Sequence, residues 1–204
     1  MKTLIALFCF LPIMVYAKSF VPASFSAQFE ETLISKATGK EKKSSGKIDY
    51  QFPSHIRYEE KSPGSTVFVS NNQKSWYYKP PFIETEQGEV TVSKASKFPM
   101  TKFLDSIQNG VENSKLFTHK YSGKELRLTF TPAMQKDSSL KEVILLAASD
   151  AKVVEKMNNF EKITLVYLDG RQVTLKFTDF NEKPVFTNDH FEFKVPPKTK
   201  VSTN

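Results

Sequence analysis

The sequence predicts a mainly β protein built on one large antiparallel sheet, strongly twisted and therefore curled. Three observations carry that prediction. Of 204 residues, 39% are hydrophobic and 25% charged, enough apolar material for one core in one domain. Phenylalanine outnumbers glycine 18 to 7, and aromatic side chains fill pleated, half-buried surfaces well. The apolar residues recur mainly with a period of two, and a helical period interrupts them once.

Residues 1–17 are expected to be an export signal rather than part of the fold. Lys2 supplies the positive charge, and the apolar run from Leu4 to Val15 is shorter than the roughly 20 residues a bilayer requires. Val15 and Ala17 then flank Tyr16 at a signal-peptidase site, which predicts cleavage after Ala17. Cleavage removes Cys9, the sole cysteine, so the mature chain 18–204 forms no internal disulfide and stands on its core. Cys9 lies inside the apolar run, which argues against lipid attachment there. The mature protein is expected to be soluble in the periplasm.

The strands follow in order. "SFSAQFEETLI" alternates Phe25, Ala27 and Phe29, "GKIDYQF" alternates Ile48, Tyr50 and Phe52, and "HIRYEE" sets Ile56 and Tyr58 opposite Arg57. Pro53 separates the last two. Residues 66–70 and 75–78 flank a turn at Asn71 and Asn72. "ELRLTFTP" aligns Leu126, Leu128 and Phe130; "LKEVILLA", "KITLVYL" and "QVTLKFTDF" follow, the last pair joined at Asp169 and Gly170, a hairpin dipeptide. "FEFKV" is read as a closing strand with Phe191, Phe193 and Val195 on one face. Some ten strands with short connections predict an antiparallel sheet.

One interval is helical. In "FPMTKFLDSIQNG" Met100, Phe103, Leu104 and Ile107 fall on one stripe, Pro99 suits the first turn, and Gly110 suits the end, predicting an amphipathic helix of about three turns. A lone helix must lay its stripe on the sheet, and on a curled sheet it plugs the concavity.

The chemistry of a catalyst is not evident. His55, His119 and His190 are scattered, with no metal-ligand spacing, cysteine nucleophile or phosphate loop. Asp49 with Glu59 and Glu60, and Asp179 with Glu182, read as the wet faces of strands. No catalytic residue, metal or cofactor is expected. The formal charge of +7 is dispersed, and its densest run, Lys40, Lys42 and Lys43, suits a solvated hairpin tip, so nucleic acid is not an expected partner.

Read together, five blocks resemble the LolA family of periplasmic outer-membrane lipoprotein carriers. "FSAQFEE" resembles its opening motif; "GKIDYQFPSHIRYEEKSP" resembles its strand pair; "VFVSNNQKSWYYKP" is similar to its Trp-x-Tyr-x-Pro segment; "FPMTKFLDSI" falls at a lid helix; "FEFKVPPKTKV" closes the chain. The resemblance spans nearly all of residues 18–204. It implies an unclosed β-barrel, or half-barrel, with a helical lid over an apolar cavity that takes up lipoprotein acyl chains. The implied cavity wall is Phe29, Ile48, Tyr50, Phe52, Ile56, Tyr58, Trp76, Tyr78, Leu128 and Phe130. The implied lid residues are Met100, Phe103, Leu104 and Ile107. Alternation puts Trp76 and Tyr78 on one face and Tyr77 on the other without deciding which points inward.

The implied partners are acylated lipoproteins, an inner-membrane ABC transporter of the LolCDE type and an outer-membrane acceptor of the LolB type, with the carrier itself a monomer. A LolB-like receptor or another lipid-binding protein of the same fold is the alternative, and an enzyme with an unrecognised site is the rival class. Three departures bear on gating. Phe52 stands where the family has an arginine before proline, Glu31 stands for the glutamine of the opening motif, and only Lys18 to Ala23 precede the first strand, which shortens or removes the N-terminal lid helix.

Overall fold

The fold was analysed in a computed structural model that describes residues 19–83, 85–94 and 98–203; the expected export segment, residues 1–17, lies outside them. The strands are β1 (Ser24–Ile34), β2 (Glu41–Gln51), β3 (His55–Ser62), β4 (Val67–Ser70), β5 (Ser75–Lys79) and β6 (Gly88–Ser93). Helix α1 (Pro99–Ser106) precedes β7 (Phe117–Ser122) and β8 (Glu125–Phe130). Helix α2 (Pro132–Ser138) precedes β9 (Leu140–Ala147), β10 (Phe160–Tyr167), β11 (Gln172–Asn181) and β12 (Thr199–Thr203). The twelve strands form a single sheet in the order β12-β6-β5-β4-β3-β2-β1-β11-β10-β9-β8-β7. Its two edges do not pair with each other, so the barrel is unclosed, as expected.

Register separates the two faces. Phe25 pairs with Tyr50, Tyr50 with Ile56 and Ile56 with Ser70, while Ala27, Ile48, Tyr58, Phe68 and Tyr77 form the next row on the same, concave side. The other half of the sheet adds Leu128, Val143, Leu165 and Val173 through their pairings. Ser70 and Tyr77 apart, these residues and the α1 stripe make one continuous cluster, with Tyr58 and Phe68 partly buried at its margin; Tyr77, at the outer end of its row, is exposed. The Phe29 ring lies over Gly46, where a Cβ would meet that ring and the Glu59 carbonyl oxygen, so the position admits only glycine.

The predicted hairpin at Asp169 and Gly170 forms, with Gly170 at φ +86°. Four expectations need correction. The sheet is not wholly antiparallel, since β12 runs parallel to β6. β6, β7 and β12 add to the predicted strands, whereas "FEFKV" is not a strand. Instead residues 182–198 form a strap across the convex face of β2–β5. His190 Nε2 lies 2.9 Å from Asp49 Oδ2, Arg57 Nη1 donates to the His190 carbonyl at 3.3 Å, and the Phe193 ring meets Tyr78 at 5.2 Å. The strap carries the chain back to β6 in the parallel sense. Its apolar alternation has the look of a strand, but Phe191 is buried while Val195 is exposed.

The third correction is to the helix. α1 starts at Pro99 as predicted but spans eight residues, about 12 Å, with Ile107 as its C-cap rather than reaching Gly110. The last is an addition: α2 was not foreseen. It starts at Pro132, ends at Ser139 in the left-handed region (φ 61°), buries Met134, and joins α1 through the Lys102–Asp137 ion pair at 2.8 Å.

Candidate functional site

The site is the concavity and the helix that fills it. Met100, Phe103, Leu104 and Ile107 all point into the sheet and are at most 2% exposed, each contributing roughly 1.5–3 kcal/mol of burial as an upper bound. They pack in one cluster with Phe29, Ile48, Tyr50, Ile56, Leu128 and Phe130 of the predicted wall, and with Tyr58 at its margin. The sequence therefore brings together seven of ten wall positions and the whole lid stripe.

Three positions fall elsewhere. Trp76 and Tyr78 sit in register with Val69 and Val92 and with Val67 and Val90, on the convex face that the strap covers. Tyr77 is the residue of this strand that points inward. The physical reason is parity: pairing through Ile48, Tyr58 and Phe68 fixes Tyr77 on the concave side, and its neighbours must point away. Phe52 lies beyond the end of β2, in the turn before β3, and is 42% exposed. It does not continue the Ile48 and Tyr50 face because the strand stops at Gln51.

The same turn nevertheless fastens the helix. Ser54, at φ 62°, turns its backbone N–H (3.2 Å) and hydroxyl (2.7 Å) to donate to the Asp105 carboxylate, and the buried Tyr50 hydroxyl donates to Asp105 Oδ1 at 2.6 Å. Burial, with the Asp105 charge adding to it, raises the Tyr50 pKa well above the ordinary tyrosine range, so this hydroxyl is a permanent donor. Asp105 was passed over in sequence because its role lies in its partners, 51 and 55 residues away.

A hollow of about 280 Å³ remains beside the N-terminus of α1. Tyr58, Phe68, Tyr77, Phe98, Met100 and Leu165 give it an apolar and aromatic lining, and Glu31 enters it. Of the predicted site residues only Tyr58 and Met100 line this space; the strand alternation of "KITLVYL" could have added Leu165. A wider depression of about 500 Å³ lies at the turn ends of β2–β5 beside the strap, lined by Gln51, His55, Asn71, Asn72 and Gln73. Its amides suit polar ligands, not hydrocarbon. Among the described residues no group of three His, Cys, Asp or Glu side chains could hold a metal, and no helix is long and apolar enough to cross a membrane.

Fold and hollow define a class: an unclosed β-barrel whose apolar interior is stopped by a helix. Residues 22–194 match the model of the family described as outer membrane lipoprotein carrier protein LolA, and the chain belongs to that family. The outer-membrane lipoprotein carrier protein of Aeromonas salmonicida is 25% identical over 173 residues, 84% of this chain and 78% of that protein. The protein of the same name from Nitrosomonas europaea is 24% identical over 207 residues, 95% of this chain and 93% of that one. A solved LolA superfamily structure from Nitrosomonas europaea aligns at TM-score 0.46 and 10% identity, covering 84% of this chain and 91% of that one.

Proposed function

We propose that this protein is a periplasmic carrier that takes lipoprotein acyl chains into the concavity beneath α1 and ferries them from the inner to the outer membrane. The observation that supports this is the seating of α1. It is a short apolar plug in the concavity, its buried stripe made of side chains that hydrocarbon can replace contact for contact, and a carboxylate fastens it to the turn before β3. Membership of the lipoprotein carrier family supports the cargo.

The energetics fit a shuttle better than a sink. At roughly 0.8 kcal/mol per buried methylene, several 16-carbon chains transferred from water would exceed the strongest known non-covalent affinities. The working exchange is membrane to protein, where apolar contact is traded for apolar contact. A LolCDE-type transporter as donor and a LolB-type protein as acceptor complete the proposed route.

The test is native mass spectrometry of the protein recovered from the periplasm of cells expressing the full chain. The expected result is a chain beginning at Lys18 in a one-to-one complex with acylated lipoprotein. Recovery of the uncleaved chain with the membranes, or of a periplasmic chain free of acylated cargo, would overturn the reading.

A further inference from the structure

The hollow beside α1 contains a carboxylate that the packing of the protein does not explain. Glu31 reaches it from the concave face of β1, opposite Leu175 of β11. Its Oε2 accepts the Tyr58 hydroxyl at 2.6 Å and its Oε1 accepts the Ser44 hydroxyl at 3.4 Å. Among the described residues it has no ion pair, although a carboxylate has room for about four donors and is costly to hold beside apolar side chains without a cation. The positive charge at the rim is committed elsewhere: Arg171 Nε donates to Asp169 at 2.7 Å, and its guanidinium lies over the Tyr167 ring at 4.6 Å.

The rest of the lining is of the kind that receives cations. Tyr58, Phe68, Tyr77, Phe98 and Tyr167 surround the space. Phe68 and Phe98 stack at 4.3 Å, and Phe98 meets Tyr58 edge-on at 5.5 Å, so the rings form a continuous wall. Aromatic faces attract ammonium groups, and a carboxylate among them adds a charge-assisted hydrogen bond. Burial and the neighbouring Glu31 hold the Tyr58 hydroxyl far above the usual tyrosine range, so it stays a donor to Glu31 and leaves the remaining lone pairs for a ligand.

We propose that Glu31 and the surrounding rings form a head-group site for an alkylammonium carried by an acylated ligand. This deepens, and rests on, the reading of the concavity as an acyl site. Met100 in the first turn of α1 is part of the same lining, so an ammonium held at Glu31 directs its attached chains along the α1 stripe. One source of such a group is the free α-amine of an S-diacylglyceryl cysteine, the amino terminus of a lipoprotein that has not been N-acylated. The other is the head group of an ethanolamine phospholipid.

The experiment displaces a bound fluorescent fatty acid from the wild-type protein and from Glu31→Gln at neutral pH. Glutamine keeps an acceptor for Tyr58 but removes the charge. The competitors are a dipalmitoylated cysteine lipopeptide with a free amine, the same lipopeptide N-acetylated, dipalmitoyl phosphatidylethanolamine, and its N-acetyl form. The wild-type protein is expected to prefer a free amine to its acetylated partner by about tenfold, and Glu31→Gln to bind the two nearly equally while retaining the affinity for the acetylated form. Discrimination confined to the lipopeptides assigns the site to the cysteine amine; discrimination between the phospholipids assigns it to the ethanolamine head group. Equal binding of amine and amide by the wild type, or a preference that survives Glu31→Gln, would overturn the head-group site and leave the acyl reading standing. Failure of every competitor, acetylated ones included, would overturn both.

Discussion

Asp105 fastens α1 to Tyr50 and to the turn before β3 through three hydrogen bonds. Replacing it with alanine strands the Tyr50 hydroxyl, which is fully buried, at a cost of about 1–3 kcal/mol. The expected outcome is a lower urea midpoint and faster amide exchange across residues 99–106, with a smaller effect for Tyr50→Phe, which leaves Asp105 bonded to Ser54. Unchanged exchange in Asp105→Ala would show that apolar packing alone holds the helix. At this scale the sequence was only partly legible. It supplied the inward residues wherever alternation ran unbroken, as at Ile48 and Tyr50, and it misplaced Phe52 because nothing in an apolar alternation marks where a strand stops. It left the inward face of the Trp76 strand undecided, because two faces of three aromatic residues look alike until the register is known, and that register corrects the family resemblance that drew Trp76 and Tyr78 into the wall. Glu31 is visible in sequence as a departure from the family's glutamine, but its meaning needed the rings around it.

The elements divide by what fixes them. β1–β5 and β8–β11 were legible because each carries its own alternation and turn residues, and α1 because its stripe and Pro99 agree. β7 and β12 were not: β7 alternates weakly, and β12 is mostly exposed and is held by pairing with β6. α2 is a two-turn helix whose apolar contribution is a single Met134, too little for a period. The strap is the instructive case, since its aromatic residues alternate as in a strand yet serve to cover one. Phe191 packs against Phe186, His55 and His190 with ring centroids 4.9–5.4 Å apart. Phe191→Ala is expected to cost about 3 kcal/mol and to expose Trp76, read as a red shift of its fluorescence; an unshifted, equally stable variant would mean that the strap is not part of the cooperative fold. The strap also carries a titration marker. Hydrogen bonds from Lys194 first, then Thr187, pull the Asp189 pKa down to about 2. A depressed carboxylate stabilises the fold above its unfolded value and loses that contribution as pH falls through the folded one, so this local fastening is expected to fail only between about pH 4 and 2. A carboxyl NMR titration of Asp189 should show the low midpoint, moving upward in Lys194→Ala; a normal midpoint in the wild type would deny the bond.

For the whole molecule the deciding quantity is space. The free hollow is about 280 Å³, at or below the roughly 300–1,000 Å³ of ordinary small-ligand pockets, while a lipoprotein anchor carries two or three long chains. The concavity itself is larger, but Met100, Phe103, Leu104 and Ile107 fill it, and interiors packed at crystal-like density do not stretch to admit added volume. On the proposed carrier reading, loading therefore moves α1 out rather than swelling the sheet around it. The sheet can stay put because its strands are held by eleven pairings along one continuous order, whereas α1 is held by apolar contacts, by the Asp105 bonds and by the ion pair to α2. Amide exchange compared between empty and cargo-loaded protein should thus show protection falling across residues 100–107 while β1, β2 and β3 keep theirs. Equal or greater protection of α1 in the loaded protein would place the chains somewhere other than beneath it. Over β2–β5 the strap already covers the convex face, so the search would turn to the exposed edges at β12 and β7, where unpaired backbone rather than a cavity would have to receive the cargo.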